Sequence, residues 1–304
     1  MQQQIAIIDC GTNTFTLSIG TASSPQQLDM TLKGRHFVEL AVGGINTISP
    51  AAFERGLRAF EDFANILKTY PTAKVIALGT AALRNATNAR EFVDAAKALS
   101  GIDIQIIDGN REAQLIFQGV QLAAPLSTKP SLIIDIGGGS VEFIIANQEQ
   151  VFWAKSYPIG GAVLYQKFHR SNPITSKDIT AIQEHLQQEL GDLIEALQNY
   201  SIEYLIGASG TFDALDHLLN APKTGMPFRL IDFNEFDNIY YQLVPLSLEE
   251  RLEVPNLVPT RAKLIVMSLL IIQFVEQAIG QQPLISSNHA LREGLVRELL
   301  VMNT

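Results

Sequence analysis

A single cysteine in 304 residues excludes a disulfide framework and any Cys-rich zinc site, and fits a reducing compartment. Long hydrophobic runs are equally scarce. The longest, Leu264 to Ile272, is broken by Ser268 and bounded by Lys263 and Gln273, so it is too short to span a bilayer and reads as a buried core helix. The opening Met1-Gln2-Gln3-Gln4 has no basic region, so no signal peptide is expected, and the protein reads as cytoplasmic with no membrane partner. Cationic residues are also few: 22 Lys and Arg stand against 31 Asp and Glu, a formal charge of -9, with no basic run beyond isolated pairs. Nucleic acid is therefore not an expected partner, because generic affinity for its backbone needs a basic surface. Local binding of a small phosphorylated substrate, through loop amides and a metal ion, is not excluded.

Several chemistries lack their residues. The five histidines (His36, His169, His185, His217 and His289) fall at no ligand-like spacing. Cys10 has no paired histidine and reads as a small packing residue. Gly207-Ala208-Ser209-Gly210 does not continue into the Gly-x-Ser-x-Gly pattern of a nucleophile elbow. Covalent catalysis is therefore not expected.

What is present is a chain that is 47% hydrophobic, enough for a core and too apolar for disorder, at a length suited to about two domains. Apolar runs at Ile5–Asp9, Lys74–Leu78, Ile102–Ile107, Leu132–Ile136 and Tyr204–Ile206 read as strands. Helical stripes alternate with them. One starts at Ser49-Pro50, with Ser49 as N-cap, and a long one runs from Ile179 to Leu197 behind a Thr175/Asp178 capping signal. The last third is mostly helical. Alternation of this kind points to an α/β architecture, and since no Pro/Gly/Ser-rich linker interrupts it, the domain boundary is expected at a hinge near Leu122–Lys129.

The most informative feature is an internal repeat. Ile7-Ile8-Asp9-Cys10-Gly11-Thr12-Asn13-Thr14-Phe15-Thr16 lies on Ile133-Ile134-Asp135-Ile136-Gly137-Gly138-Gly139-Ser140-Val141-Glu142 without a gap. Each copy gives a strand, an Asp, a Gly two residues on, a hydroxyl five residues on and a returning strand. The Gly-rich turn offers consecutive amides to an anion, and the carboxylate can hold a hydrated divalent cation. One Asp-x-Gly after a strand is ordinary turn chemistry. Two at matched spacing, joined by a third turn at Gly207–Thr211, argue for a site that grips a phosphate chain.

With these landmarks the sequence resembles the exopolyphosphatase/guanosine pentaphosphate phosphatase family, within the superfold of actin, sugar kinases and the Hsp70 ATPase. The resemblance runs from about Ile5 to Leu300. It also rests on Gly79-Thr80-Ala81-Ala82-Leu83-Arg84-Asn85-Ala86, on Asp108-Gly109-Asn110-Arg111-Glu112-Ala113 and, more loosely, on Leu291-Arg292-Glu293-Gly294-Leu295. It implies two actin-like (ribonuclease H-like) domains with mixed sheets flanked by helices and an interdomain active-site cleft. The domains would span 1–123 and 124–288, with a C-terminal helix at about 289–304 packing back on the first.

The resemblance also implies a Mg²⁺-dependent phosphoanhydride hydrolase. Glu112, at the start of a helix, is the expected base that orients water. Arg84 is expected to fork onto phosphate. Asp135 and Glu142, helped by Asp9, are the metal-side residues, since Mg²⁺ takes one or two protein carboxylates and keeps several waters. Asn13, Thr14, Gly138, Gly139, Ser140, Gly210 and Thr211 are expected to donate to substrate oxygens. Period-2 alternation alone does not place Glu142 on either face of its strand.

The chain departs from the family in four places. Thr12 and Thr14 stand where serines are usual. Arg111 stands where a glutamate is common, which makes the loop less acidic and favours anion approach. Val163 replaces a common arginine, and Lys263 replaces an acidic residue. The expected substrate is inorganic polyphosphate, with guanosine pentaphosphate 5′-phosphatase as the alternative within the family. Two other readings are an ATP-dependent kinase of the same superfold and a non-hydrolysing polyphosphate or nucleotide sensor. The Leu- and Ile-rich helices of the C-terminal half would serve a homodimer as well as a core; periodicity does not choose.

Overall fold

Two of the strands read from the sequence are buried along nearly their whole length, as their apolar runs require. Ile5 to Ile8 are buried in β1 (Gln4–Cys10), and every residue is buried in the later strand Ser131–Ile136. Continuous burial, without alternation, marks strands covered on both faces. The computed structural model describes residues 4–24, 27–219 and 226–301. The chain divides into two compact units, residues 1–122 with 291–304, and residues 123–290.

In the first unit, β1, β2 (Thr14–Ser24) and β3 (Gln27–Phe37) form an antiparallel meander. Helix α1 (Pro50–Leu67) follows, with Ser49 accepting a hydrogen bond from the Ala52 amide and Pro50 in its first turn, as the sequence predicts. Then come β4 (Lys74–Gly79), α2 (Ala81–Asn85), α3 (Ala89–Ser100), β5 (Ile104–Ile106) and α4 (Gly109–Ala123). The sheet order is β3-β2-β1-β4-β5, with β4 and β5 parallel to β1.

The second unit repeats that plan. It runs β6 (Ser131–Ile136), β7 (Val141–Ala146), β8 (Val151–Tyr157), α5 (Gly161–Phe168), α6 (Ser176–Glu189), α7 (Gly191–Leu197), β9 (Leu205–Ala208) and α8 (Gly210–Leu218). It continues through β10 (Phe228–Ile231), α9 (Phe233–Leu243), α10 (Leu248–Leu252), α11 (Pro259–Ala262), α12 (Ile265–Ile279) and β11 (Leu284–Ser287). Its sheet order, β10-β11-β9-β6-β7-β8, is the first unit's order with β10 added at the edge. Helix α13 (Leu291–Val301) then belongs to the first unit; the last three positions of the helix expected to 304 lie outside the described residues.

One helical expectation changed. The stripe from Ile179 to Leu197 is not one helix: it breaks at Leu190, which caps α6 and begins α7, because Gly191 follows it. Leu186, Leu190, Leu193 and Leu197 stay buried, so the apolar face survives the break. The last third is mostly helical, as expected, and adds two short strands, β10 and β11. Helix α12 is core, with every residue from Ile265 to Ile272 buried. Among the described residues no helix is long and apolar enough to cross a membrane.

Candidate active site

The repeat seen in the sequence is a repeat of geometry. In the first unit Cys10 pairs with Phe15 and Asp9 with Thr16; in the second, Ile136 pairs with Val141 and Asp135 with Glu142. Each turn is closed by one bond across it, from the Gly11 amide to the Thr14 carbonyl at 3.1 Å and from the Gly137 amide to the Ser140 carbonyl at 3.0 Å. A Cβ on either first glycine would lie 3.1 Å from that same carbonyl, which is why glycine opens both turns.

In the second unit the register decides what alternation could not. Asp135 and Glu142 are direct cross-strand partners, so both carboxylates leave the same face of the sheet. Both are buried. Asp135 Oδ2 accepts a hydrogen bond from Ser209 Oγ at 2.5 Å, and Glu142 Oε1 accepts one from Ser156 Oγ at 2.6 Å. Ser156 does not stand out in the sequence, and Ser209 does so only as part of the third turn, with no role of its own. Ser209 has φ +69° and ψ −171°, a region that a residue with a side chain occupies at a cost, in the turn from β9 into α8. Its hydroxyl is spent on Asp135, so a strained serine here orients a carboxylate.

The Gly138–Gly139 turn is shaped by α5. The amides of Gly161 and Ala162 donate to the carbonyls of Gly137 and Gly138, both at 2.9 Å. Gly160 sits so close that a Cβ there would come within 2.5 Å of Gly138. The carbonyls of Gly137, Gly138 and Gly139 are thus all engaged by the start of α5, and the amides of such a Gly-rich turn are the groups that could meet an anion. Ser140 is buried behind them. Gly210 opens α8 beside the guanidinium of Arg261, which occupies the place a Cβ would take. Arg261 is not a candidate by sequence; only this flush packing reveals a guanidinium at the third turn. The Thr211 hydroxyl, expected to donate to substrate, bonds the Ile136 carbonyl and the Ser268 hydroxyl, both at 3.2 Å, and is engaged within the fold.

In the first unit, Glu112 and Arg84 are bonded to each other. Arg84 Nη1 lies 2.7 Å from Glu112 Oε2 and 3.0 Å from the Ile107 carbonyl. Read from the sequence the two act separately; here the guanidinium fixes one oxygen of the buried carboxylate. The first turn of α4 is capped by Asp108, whose carboxylate accepts from the Arg111 amide at 2.7 Å. Arg111 itself does not serve anion approach, because its guanidinium forms a two-pronged ion pair with Glu298 of α13. Asn13 and Thr14 lie in the first turn, where the Asn13 carbonyl accepts from the amides of Val38 and Glu39 at 2.9 and 3.0 Å.

Asp9 lies at the end of β1. Burial pushes its carboxyl up to about 6, Arg292 pulls it down and Glu293 pushes it up, both from α13. Cys10, next to it, is fully buried and its thiol is pushed well up, first by burial and then by Asp9, so it is no nucleophile near neutrality.

The donor chemistry fits magnesium. Asp135 and Glu142 present two carboxylates on one face, each held by a hydroxyl, and hard oxygen ligands of this kind suit a cation that keeps several of its waters. Among the described residues, no three His, Cys, Asp or Glu side chains gather to hold a metal. A closed nitrogen or sulfur cage is thus not what these residues build.

The sequence and the fold both have known counterparts. The sequence profile described as the Ppx/GppA phosphatase family matches residues 21–302. The guanosine-5′-triphosphate,3′-diphosphate pyrophosphatase of Photobacterium profundum is 31% identical over 299 residues, covering 97% of this chain and 59% of that protein. The chain therefore spans less than two thirds of this curated relative. The crystal structure of an exopolyphosphatase from Cytophaga hutchinsonii superposes with a TM-score of 0.93 at 33% identity, covering 99% of this chain and 98% of that one. A Ppx/GppA family member from Aquifex aeolicus shares the fold, with a TM-score of 0.82 at 21% identity over 100% of this chain and 99% of that one.

Proposed function

Because the chain belongs to the Ppx/GppA phosphatase family, we propose that it hydrolyses the terminal phosphoanhydride bond of inorganic polyphosphate in a Mg²⁺-dependent reaction. The observation that carries this reading is the buried Asp135–Glu142 pair beside the Gly138–Gly139 turn, a carboxylate pair for a hydrated cation next to amides for an anion. Bound there, Mg²⁺ would supply neutralisation of non-bridging phosphate oxygens. The remaining work falls to the chain. The amides of Gly138, Gly139 and Gly210, with the Ser140 and Thr14 hydroxyls and Asn13, hold phosphate oxygens. Ser209 and Ser156 keep the two carboxylates oriented. Glu112 orients the attacking water and takes up its proton, with Arg84 fixing Oε2 of that carboxylate.

The substrate preference is supported by the Cytophaga exopolyphosphatase, whose whole length this chain matches. A second reading, guanosine pentaphosphate 5′-phosphatase, is supported by the Photobacterium relative, although that protein is longer. Phosphate release with Mg²⁺ from polyphosphate, guanosine pentaphosphate and ATP tests both. Glu112→Gln keeps shape and removes the base, so kcat should fall by about 10²–10⁴ while substrate binding persists. Preference for guanosine pentaphosphate would select the second reading, and no release from any of the three by the wild type would overturn both.

A further inference from the structure

Helix α13 reaches the first unit only after the chain has completed the second, yet it is tied to the helix that carries Glu112 along a whole face. Gly294 lies flush against the Leu115 carbonyl and the Gly119 amide, where no Cβ would fit. Arg297 Nη1 donates to the Gln118 carbonyl at 3.3 Å and bonds the Gln121 side chain. Arg111 Nη1 and Nη2 grip the two oxygens of Glu298, the first at 2.7 Å. Positions 111, 115, 118 and 119 share one side of α4, and Glu112 projects a quarter-turn or so away, toward Arg84.

We infer that the Arg111–Glu298 ion pair is a positioning device for Glu112, through which α13 fixes the first turn of α4; this rests on Glu112 serving as the water-orienting group. The first turn of a helix lacks the intrahelical acceptors that hold the rest, so it frays unless it is tied. Here it is tied twice at one residue. The Arg111 amide is held by Asp108, and the Arg111 side chain is held by Glu298. The pair is two-pronged and half-buried, a geometry that fixes direction as well as distance. Its loss would leave the turn from which Glu112 must aim to Asp108 and to the bond from Arg84, which holds the carboxylate but not the backbone of the turn. Misplacement of such a group by about 1 Å costs up to roughly 10²-fold in rate without weakening substrate binding. This use of Arg111 also explains how a cation sits beside the expected base without competing for it: its charge is committed to α13.

The test compares full-length Glu298→Gln with Arg297→Met, which removes a tie from the same helix face away from Glu112. Two readouts are taken on folded protein: steady-state kinetics on polyphosphate with Mg²⁺, and amide hydrogen exchange over residues 109–112. For Glu298→Gln, kcat should fall about tenfold with KM changed less than about twofold, and exchange at 109–112 should quicken. Arg297→Met should leave both readouts near wild type. The exchanged pair Arg111→Glu with Glu298→Arg should recover most of kcat. An unchanged kcat in Glu298→Gln, or an equal loss in Arg297→Met, overturns the inference. If the wild type releases no phosphate, the hydrolase reading fails separately, and exchange then decides: quickening confined to Glu298→Gln supports the positioning role, and unchanged exchange rejects it.

Discussion

Asp135 and Glu142 face each other across β6 and β7, and each is held by a serine from a different element, Ser209 after β9 and Ser156 on β8. Removing either charge should therefore abolish magnesium-dependent turnover, and removing a serine should loosen it. Ser209→Ala is expected to raise the magnesium concentration for half-maximal activity by about 10–100-fold, since hydroxyls that orient ligand carboxylates act on metal affinity. Asp135→Asn and Glu142→Gln combined should be no worse than either alone, because the carboxylates act as a unit. A magnesium titration of hydrolysis rate for the four variants checks this. Unaltered magnesium dependence in Ser209→Ala would remove the serine from the site.

Gly160 is a glycine for reasons of space alone: its backbone is extended, and a Cβ would lie 2.5 Å from the Gly138 carbonyl carbon and oxygen. Gly160→Ala should push the Gly138–Gly139 turn away from α5. The expected cost is about 1–3 kcal/mol of stability, as for overpacking elsewhere. Substrate KM should rise as well if, as proposed, the displaced amides hold phosphate. Urea unfolding together with KM on polyphosphate measures both. A variant with wild-type KM would show that the turn's position does not matter to binding.

How much of this was legible in the sequence follows from how local each feature is. The Asp9 and Asp135 hairpins could be aligned without a gap because each lies within ten consecutive residues, and the structure gives them matching registers and closing bonds. The Ser49 cap and the Thr175–Asp178 capping box were legible for the same reason. Glu142 was not placed, since β7 is buried on both faces and its residues carry no alternation to read. The partners were beyond reach. Ser209 is 74 residues from Asp135, Arg84 is 28 from Glu112, and Arg111 is 187 from Glu298. Spacing along a chain encodes helix faces and turns, whereas these pairings are set by sheet order and by the return of α13. Arg111 shows the consequence most clearly: its type invited an anion, and its fold partner is a carboxylate.

Arg251 presents the opposite problem, a buried charge with no hydrogen-bond partner among the described residues. Its side chain is fully enclosed, and Nε, Nη1 and Nη2 have no hydrogen-bond acceptor within the described residues. Burial pulls its guanidinium down from the usual range. Arginine nevertheless stays charged at working pH. A buried charge that makes no hydrogen bond opposes folding, and the longer-range pull of Tyr165 and Glu249 offsets this only in part, so Arg251→Met, which keeps the aliphatic stem, should stabilise the protein by about 1–4 kcal/mol. Chemical denaturation of the two proteins at one pH decides. A loss of more than about 1 kcal/mol would mean that the guanidinium is satisfied in solution by water or an ion.

Asp9 should make stability depend on pH in a direction opposite to that of an ordinary salt-bridged carboxylate. Its folded value of about 6 lies above the ordinary 3.8, chiefly through burial. The folded state therefore holds a proton there that the unfolded chain releases. That contribution is fully present below about 4 and is lost as pH rises through about 6. The shift corresponds to at most roughly 3 kcal/mol, reduced by solvent screening at a carboxyl that is partly accessible. Asp9→Asn, neutral at every pH, should match the wild type near pH 4 and exceed it at pH 7.5 when both are unfolded in urea without Mg²⁺. If the ionised carboxylate helps to hold the cation, adding Mg²⁺ should narrow the gap at pH 7.5, because binding to the folded form alone stabilises it. A difference between the two proteins that is the same at pH 4 and pH 7.5 would show that Asp9 titrates normally, and a gap that Mg²⁺ leaves untouched would take it out of the metal site.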